Sequence, residues 1–176
     1  MNSVPGFCVV DTNVPIVANN KSPQVSAGCV LACVDALKSI TQRGGITLDS
    51  SGLILKEYRD NLLKPGQRGV GDAFMKWVYE HLGDASRCAT VDITPKPDDA
   101  FDFQEFPNHP GLAKFDRSDR KFVAVSAAHA KHPPILEAAD SKWWGWREAL
   151  KECGIMVSFL CPEDIAEMHK RKSVKK

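Results

Sequence analysis

Phe7-Cys8-Val9-Val10-Asp11-Thr12-Asn13-Val14 decides how the rest of the chain is read. An unbroken apolar run with β-branched residues predicts a strand buried on both faces. Asp11 and Asn13 then fall where that strand ends and the chain turns. In open parallel sheets ligands bind outside the carboxyl ends of the strands, so a carboxylate there is a candidate for metal or phosphate chemistry. Capping the next helix is the competing role, since Asp, Thr and Asn all favour helix starts. Three further carboxylates downstream, in comparable positions, favour the chemical role.

Working outward, the sequence predicts helices over Gln24–Gln42, Ser51–Leu63, Asp72–Leu82, about Ser118–His129, Lys142–Cys153 and Pro162–His169. Strands are expected at Ile46–Leu48, Cys88–Ile93, Ile135–Ala139 and Ile155–Leu160. Apolar positions at helical spacing, Gly44-Gly45 and Pro133-Pro134 as stops, and capping residues such as Asp49-Ser50-Ser51 carry these assignments. Alternating strands and helices predict an α/β domain, a three-layer α/β/α sandwich around a central parallel sheet. Lys64–Gly71 and Thr94–Leu112 are expected to be irregular, the second as a flap over one face. Trp143, Trp144 and Trp146 cannot all face inward from one helix, so one is expected exposed, to stack on a base or meet a protein.

The chain has 176 residues, suited to one domain over 1–169 followed by a basic tail, 170–176. Five of its 23 lysines and arginines lie in the last seven residues, leaving 18 against 22 acidic residues in the body. That body is not one that coats DNA; it suits a carboxylate site awaiting cations. No apolar run reaches membrane-span length and no secretory pattern opens the chain, so a cytoplasmic protein with no membrane contact is expected. On that basis all six cysteines are expected reduced, with Cys29 and Cys33 as core residues, and their spacings argue against structural zinc. The five histidines show no metal-ligand spacing.

Asp11, Glu57, Asp119 and Asp140 come from four separated places, each at a strand end or on a helix passing one. Such a cluster repels itself and raises its own pKa values unless a cation binds. Magnesium or manganese prefers oxygen donors, takes few carboxylates and keeps waters, and suits cleavage of a phosphodiester. Lys114, Arg117, Arg120 and Lys121 surround Asp119 and could guide a nucleic-acid backbone.

The ordered set Val9-Val10-Asp11-Thr12-Asn13-Val14, Leu55-Lys56-Glu57-Tyr58, Ser118-Asp119-Arg120-Lys121-Phe122-Val123-Ala124, Asp140, and Gly154-Ile155-Met156-Val157 with Pro162-Glu163-Asp164-Ile165 resembles the PIN-domain family of metal-dependent nucleases. The resemblance implies a ribonuclease in which Asp11, Asp119 and Asp140 hold Mg2+ or Mn2+, and Glu57 does so directly or through water. Asn13, on the substrate-binding side, would orient Asp11 or a bound water, and a hydroxide on the metal would attack without a covalent enzyme intermediate. Where the family often has a hydroxyl residue and a further acid, this chain has Ala138 and Lys142. Asp116 is an alternative donor there, or a single cation binds, and Lys142 and Arg120 would contact substrate phosphate. Many small members are toxins of toxin–antitoxin modules. The partners expected are thus RNA, an antitoxin protein and a second copy in a homodimer. The alternative is a non-catalytic PIN-like module that binds RNA or a protein. A haloacid-dehalogenase-type phosphatase ranks third, because it needs a second Asp where this chain has Asn13.

Overall fold

The computed structural model describes residues 6–63 and 68–174. Five parallel strands, β1 (Phe7–Val10), β2 (Gly45–Asp49), β3 (Cys88–Val91), β6 (Ile135–Glu137) and β7 (Val157–Phe159), form one sheet in the order β3-β2-β1-β6-β7. The short antiparallel hairpin of β4 (Pro95–Lys96) and β5 (Asp99–Phe103) stands apart from it. Among the described residues seven α-helices accompany the strands: α1 (Asn13–Ala18), α2 (Ala27–Arg43), α3 (Leu53–Asn61), α4 (Val70–His81), α5 (Arg120–Ala128), α6 (Ser141–Glu152) and α7 (Pro162–Val174). The three-layer α/β/α expectation is met. Cys8, Val9 and Val10 on the central strand are fully buried, as a parallel strand covered on both faces must be.

The helices α1, α2 and α4 pack together. Crossing back from β3 to β6, the chain lays α5 against β1, β2 and β6, with α6 beside β7. The helix α3 starts directly after β2 and touches both β2 and α5. Asp49, the last residue of β2, sets that start. Its carboxylate accepts the backbone N–H groups of Leu53 at 2.7 Å and Ile54 at 2.9 Å.

Several local expectations change. Thr94–Leu112 is not irregular: it holds the hairpin and a 3-10 turn at Pro110–Leu112, and β5 rests on α5. Phe103 and Phe106 are buried there, while Phe101 stays 62% exposed. None of the three tryptophans is exposed, although Trp144 and Trp146 are half-buried. Trp143 is fully buried, edge-on to Phe115 at 5.0 Å, and Trp146 packs on Phe115 at 4.5 Å. Trp144 lies between Phe159 at 5.1 Å and the Arg147 guanidinium at 4.4 Å. The last helix continues through Val174, so Lys170, Arg171 and Lys172 are helical, while Lys175 and Lys176 lie outside the described residues. Of the loop expected at Lys64–Gly71, residues 64–67 also lie outside them, and Val70 and Gly71 already belong to α4.

The cysteines are not all reduced. Cys29, in the first turn of α2, and Cys161, just before α7, form a disulfide with a Cα–Cα distance of 5.2 Å. They are 132 residues apart, and spacing alone cannot pair cysteines that only the fold brings together. Among the described residues, no helix is long and apolar enough to cross a membrane.

Candidate functional site

The strand order reverses direction between β1 and β6, and that switch point is where a doubly wound sheet opens a crevice. The register pairs Val9 with Ile135 and Val10 with Leu136, so the next pair outward is Asp11 and Glu137. Residues in register on parallel neighbours project to the same face. Two carboxyls are therefore side by side at the crevice, both buried. The Asp11 N–H still donates to Leu136 O at 3.0 Å, which extends the ladder to this point.

Each carboxyl is fixed. Asp11 Oδ1 accepts the Asn13 backbone N–H at 2.8 Å. Asn13 therefore meets Asp11 through its main chain. Glu137 Oε1 accepts three backbone N–H groups in a row, from Ala138 at 3.0 Å, Ala139 at 3.1 Å and Asp140 at 2.9 Å. Glu137 Oε2 is buried without a hydrogen-bond partner. The Asp11 charge raises the proton affinity of Glu137 beside it.

Charge and burial set the proton affinities of the cluster. Burial, then the Asp119 charge, pushes Asp11 up to about 8 against the pull of the Asn13 amide. Burial and Asp11 raise Glu137 well above the usual carboxylate range. Asp119, at the end of a 3-10 turn over Arg117–Asp119, is pushed up to about 6 by burial, Asp116 and Asp140. Glu57 and Asp140 act on the same groups. The four carboxylates expected from the sequence are thus electrostatic neighbours, and Glu137 lies among them.

Two lysines moderate the cluster. Lys121, on α5 and only 9% exposed, meets Glu57 Oε2 at 2.5 Å, while Thr12 Oγ1 donates to Glu57 Oε1 at 2.6 Å. Lys142 meets Asp116 Oδ2 at 2.6 Å and holds the Asp116 carboxyl down at about 2. Asp140 also caps α6, its Oδ1 accepting Lys142 N–H at 2.9 Å. Arg120 is engaged away from the cluster: it pairs with Asp102 at 2.7 Å and stacks on Phe106 at 4.5 Å, tying the hairpin to α5. A polar cavity of about 570 Å³ opens beside Asp116, lined by Asp99, Asp102, Lys114, Arg117 and Arg120.

Sequence reasoning missed Glu137. Its signal was present: a charged residue within an otherwise apolar buried strand, where unpaired glutamate is almost never found. Among the described residues, no three carboxylates bring oxygens within 4.8 Å of one another; the set that meets this limit is Cys29, Cys33 and Cys161. No protein-family model, curated protein or solved structure matches the chain. The likeness to PIN domains therefore rests on the motifs of the chain itself.

Proposed function

We propose that the chain is a metal-dependent ribonuclease of PIN type that hydrolyses RNA phosphodiester bonds at this acidic cluster. The observation that carries the reading is the buried Asp11–Glu137 pair at the switch point, ringed by Glu57, Asp119 and Asp140. Such a group is costly unless something positive enters it. The donors fit Mg2+ or Mn2+: they are all carboxylate oxygens, and Glu137 Oε2 is a buried acceptor without a donor. Magnesium needs only one or two carboxylates beside its waters, so a set wider than 4.8 Å still suits it.

Asp11, Asp119 and Asp140 would hold the cation, with Glu57 reaching it directly or through water. When bound, the cation supplies Lewis-acid stabilisation and lowers the pKa of water. The Asn13 amide holds Asp11 in place, and Thr12 and Lys121 hold Glu57. Lys142, exposed at the edge of the cluster, and Lys114 at the cavity are the cations offered to an RNA backbone. Arg120 serves as a strut. The substrate calls for a cytoplasmic protein, and a toxin-type role adds an antitoxin partner and a homodimer.

Asp11→Asn tests this. Against an unstructured RNA with Mn2+, cleavage is expected to fall at least about 10²-fold, the scale of one lost transition-state contact, while far-UV circular dichroism is unchanged. Undiminished cleavage by the variant would remove the cluster from the chemistry.

The ion pairs Lys121–Glu57 and Lys142–Asp116 favour a second reading, a non-catalytic module that binds RNA or a protein, because they already neutralise part of the cluster. Under that reading the folded wild type binds RNA without Mn2+ and does not cleave it.

A further inference from the structure

Besides the carboxylates, Cys29, Cys33 and Cys161 bring three sulfurs within 4.8 Å of one another, all buried. Two thiolates sharing one zinc ion at about 2.3 Å lie roughly 3.8 Å apart, so small side-chain rotations would bring these sulfurs onto a single ion. Cys29 and Cys33 are one turn apart on α2, and Cys161 enters from the junction of β7 and α7. Cys29 sits in the first turn of α2, and Cys161 immediately precedes α7. The positive ends of a 17-residue and a 13-residue helix therefore face this cluster, which favours thiolates there. A cavity of about 260 Å³ reaches Cys29 and Cys161 from the surface, with Glu163 and Asp164 in its wall. It provides a path for a small reductant or a cation, with negative charge along it.

We propose that, once the Cys29–Cys161 bond is reduced, Cys29, Cys33 and Cys161 form a three-thiolate site for a thiophilic cation of the zinc or copper(I) class, and that the disulfide is the closed, cation-free state of the same site. Reduction uses an external dithiol. It gives two electrons and two protons, the Sγ–Sγ bond breaks, Cys29 and Cys161 become thiols, and the reagent leaves as its own disulfide. Cation binding then releases the three thiol protons to solvent as three sulfur–metal bonds form. Burial pushes the Cys33 thiol up to about 12, so without a cation it stays an inert thiol beside the disulfide. Soft sulfur donors select this class of ion, and the oxygen cluster at the switch point selects the hard one. The site is independent of the ribonuclease reading.

Cadmium tests it, through its thiolate charge-transfer absorption. The full chain, reduced with a phosphine and freed of it, is titrated with Cd2+ alongside the oxidised chain. The reduced protein is expected to bind one equivalent with the charge-transfer band, and the oxidised protein to show none. Cys33→Ala, which leaves the disulfide able to form, is expected to weaken binding by more than about 10-fold, at least the cost of losing an outer-shell partner of a metal. Cys153→Ser, which alters a cysteine outside the cluster, is expected to bind as the wild type does. A reduced wild type without a one-equivalent band overturns the proposal. So does Cys33→Ala of native circular dichroism with undiminished affinity, or oxidised protein that binds equally well.

Discussion

Glu137 is fully buried in a strand between two helix layers, where packing alone would select an aliphatic side chain. Two functions hold it there. One oxygen gathers the three successive amides that turn the chain from β6 toward α6, and the other is buried without a partner beside Asp11. The two can be separated by mutation. Glu137→Gln keeps a carbonyl oxygen for the amides and offers Asp11 an N–H, so urea unfolding without metal should shift by less than about 1 kcal/mol. Glu137→Ala leaves one buried and two half-buried amides unpaired and should cost about 2–3 kcal/mol or more. Equal losses in both variants would mean that the negative charge, rather than the amide turn, is what stabilises the fold. Asp11, Asp119 and Asp140 were legible because each stands just past a strand or at a helix start, where a carboxylate has a recognisable position. Glu137 has no such spacing, and the pairing of Glu57 with Lys121 exists only once α3 and α5 meet.

The helix α3 shows how an element places a site it barely enters. Asp49 caps its first turn, and the hydroxyl of buried Tyr58 donates to the Val10 carbonyl at the end of β1. That bond fixes the residue before Asp11 from a second direction. Tyr58→Phe removes it and leaves a buried carbonyl one donor short, with an expected loss of about 1–3 kcal/mol by chemical denaturation. A loss under about 0.3 kcal/mol would show that the carbonyl finds another donor. At this level most of the fold could be read in advance, because strand runs and helical stripes are local patterns. The hairpin of β4 and β5 could not. Its two strands are short and charged, and it is held by Arg120–Asp102, Arg117–Asp99 and buried phenylalanines, which are contacts distant in sequence. The Cys29–Cys161 bond was invisible for the same reason.

Across the molecule the acidic cluster sets the pH dependence of stability. Asp11 and Asp119 are raised in the folded chain, to about 8 and about 6, above their ordinary value of 3.8. The fold binds more protons than the unfolded chain between these limits, so the favourable contribution is complete below the ordinary value and is lost as pH rises through the folded values. Metal-free protein should therefore melt at progressively lower temperature from pH 5 to pH 8. Asp116, held at about 2 by Lys142, works in the opposite sense and only in acid, its contribution disappearing as pH falls through that value. Saturating Mn2+ should raise the melting temperature more at pH 8 than at pH 5, because it replaces protons that the cluster has then lost. A melting temperature that rises steadily from pH 5 to pH 8 without metal would contradict this picture of the cluster.

The most direct measurement is calorimetric titration of Mn2+ into the wild type and Asp11→Asn at pH 7, in two buffers of different ionisation enthalpy. The ribonuclease reading predicts saturable binding by the wild type, a buffer-dependent heat from released protons, and neither in the variant. A folded wild type that takes up no Mn2+, or a variant that binds it equally, would contradict a cation site at Asp11 and leave the non-catalytic module as the reading of this fold.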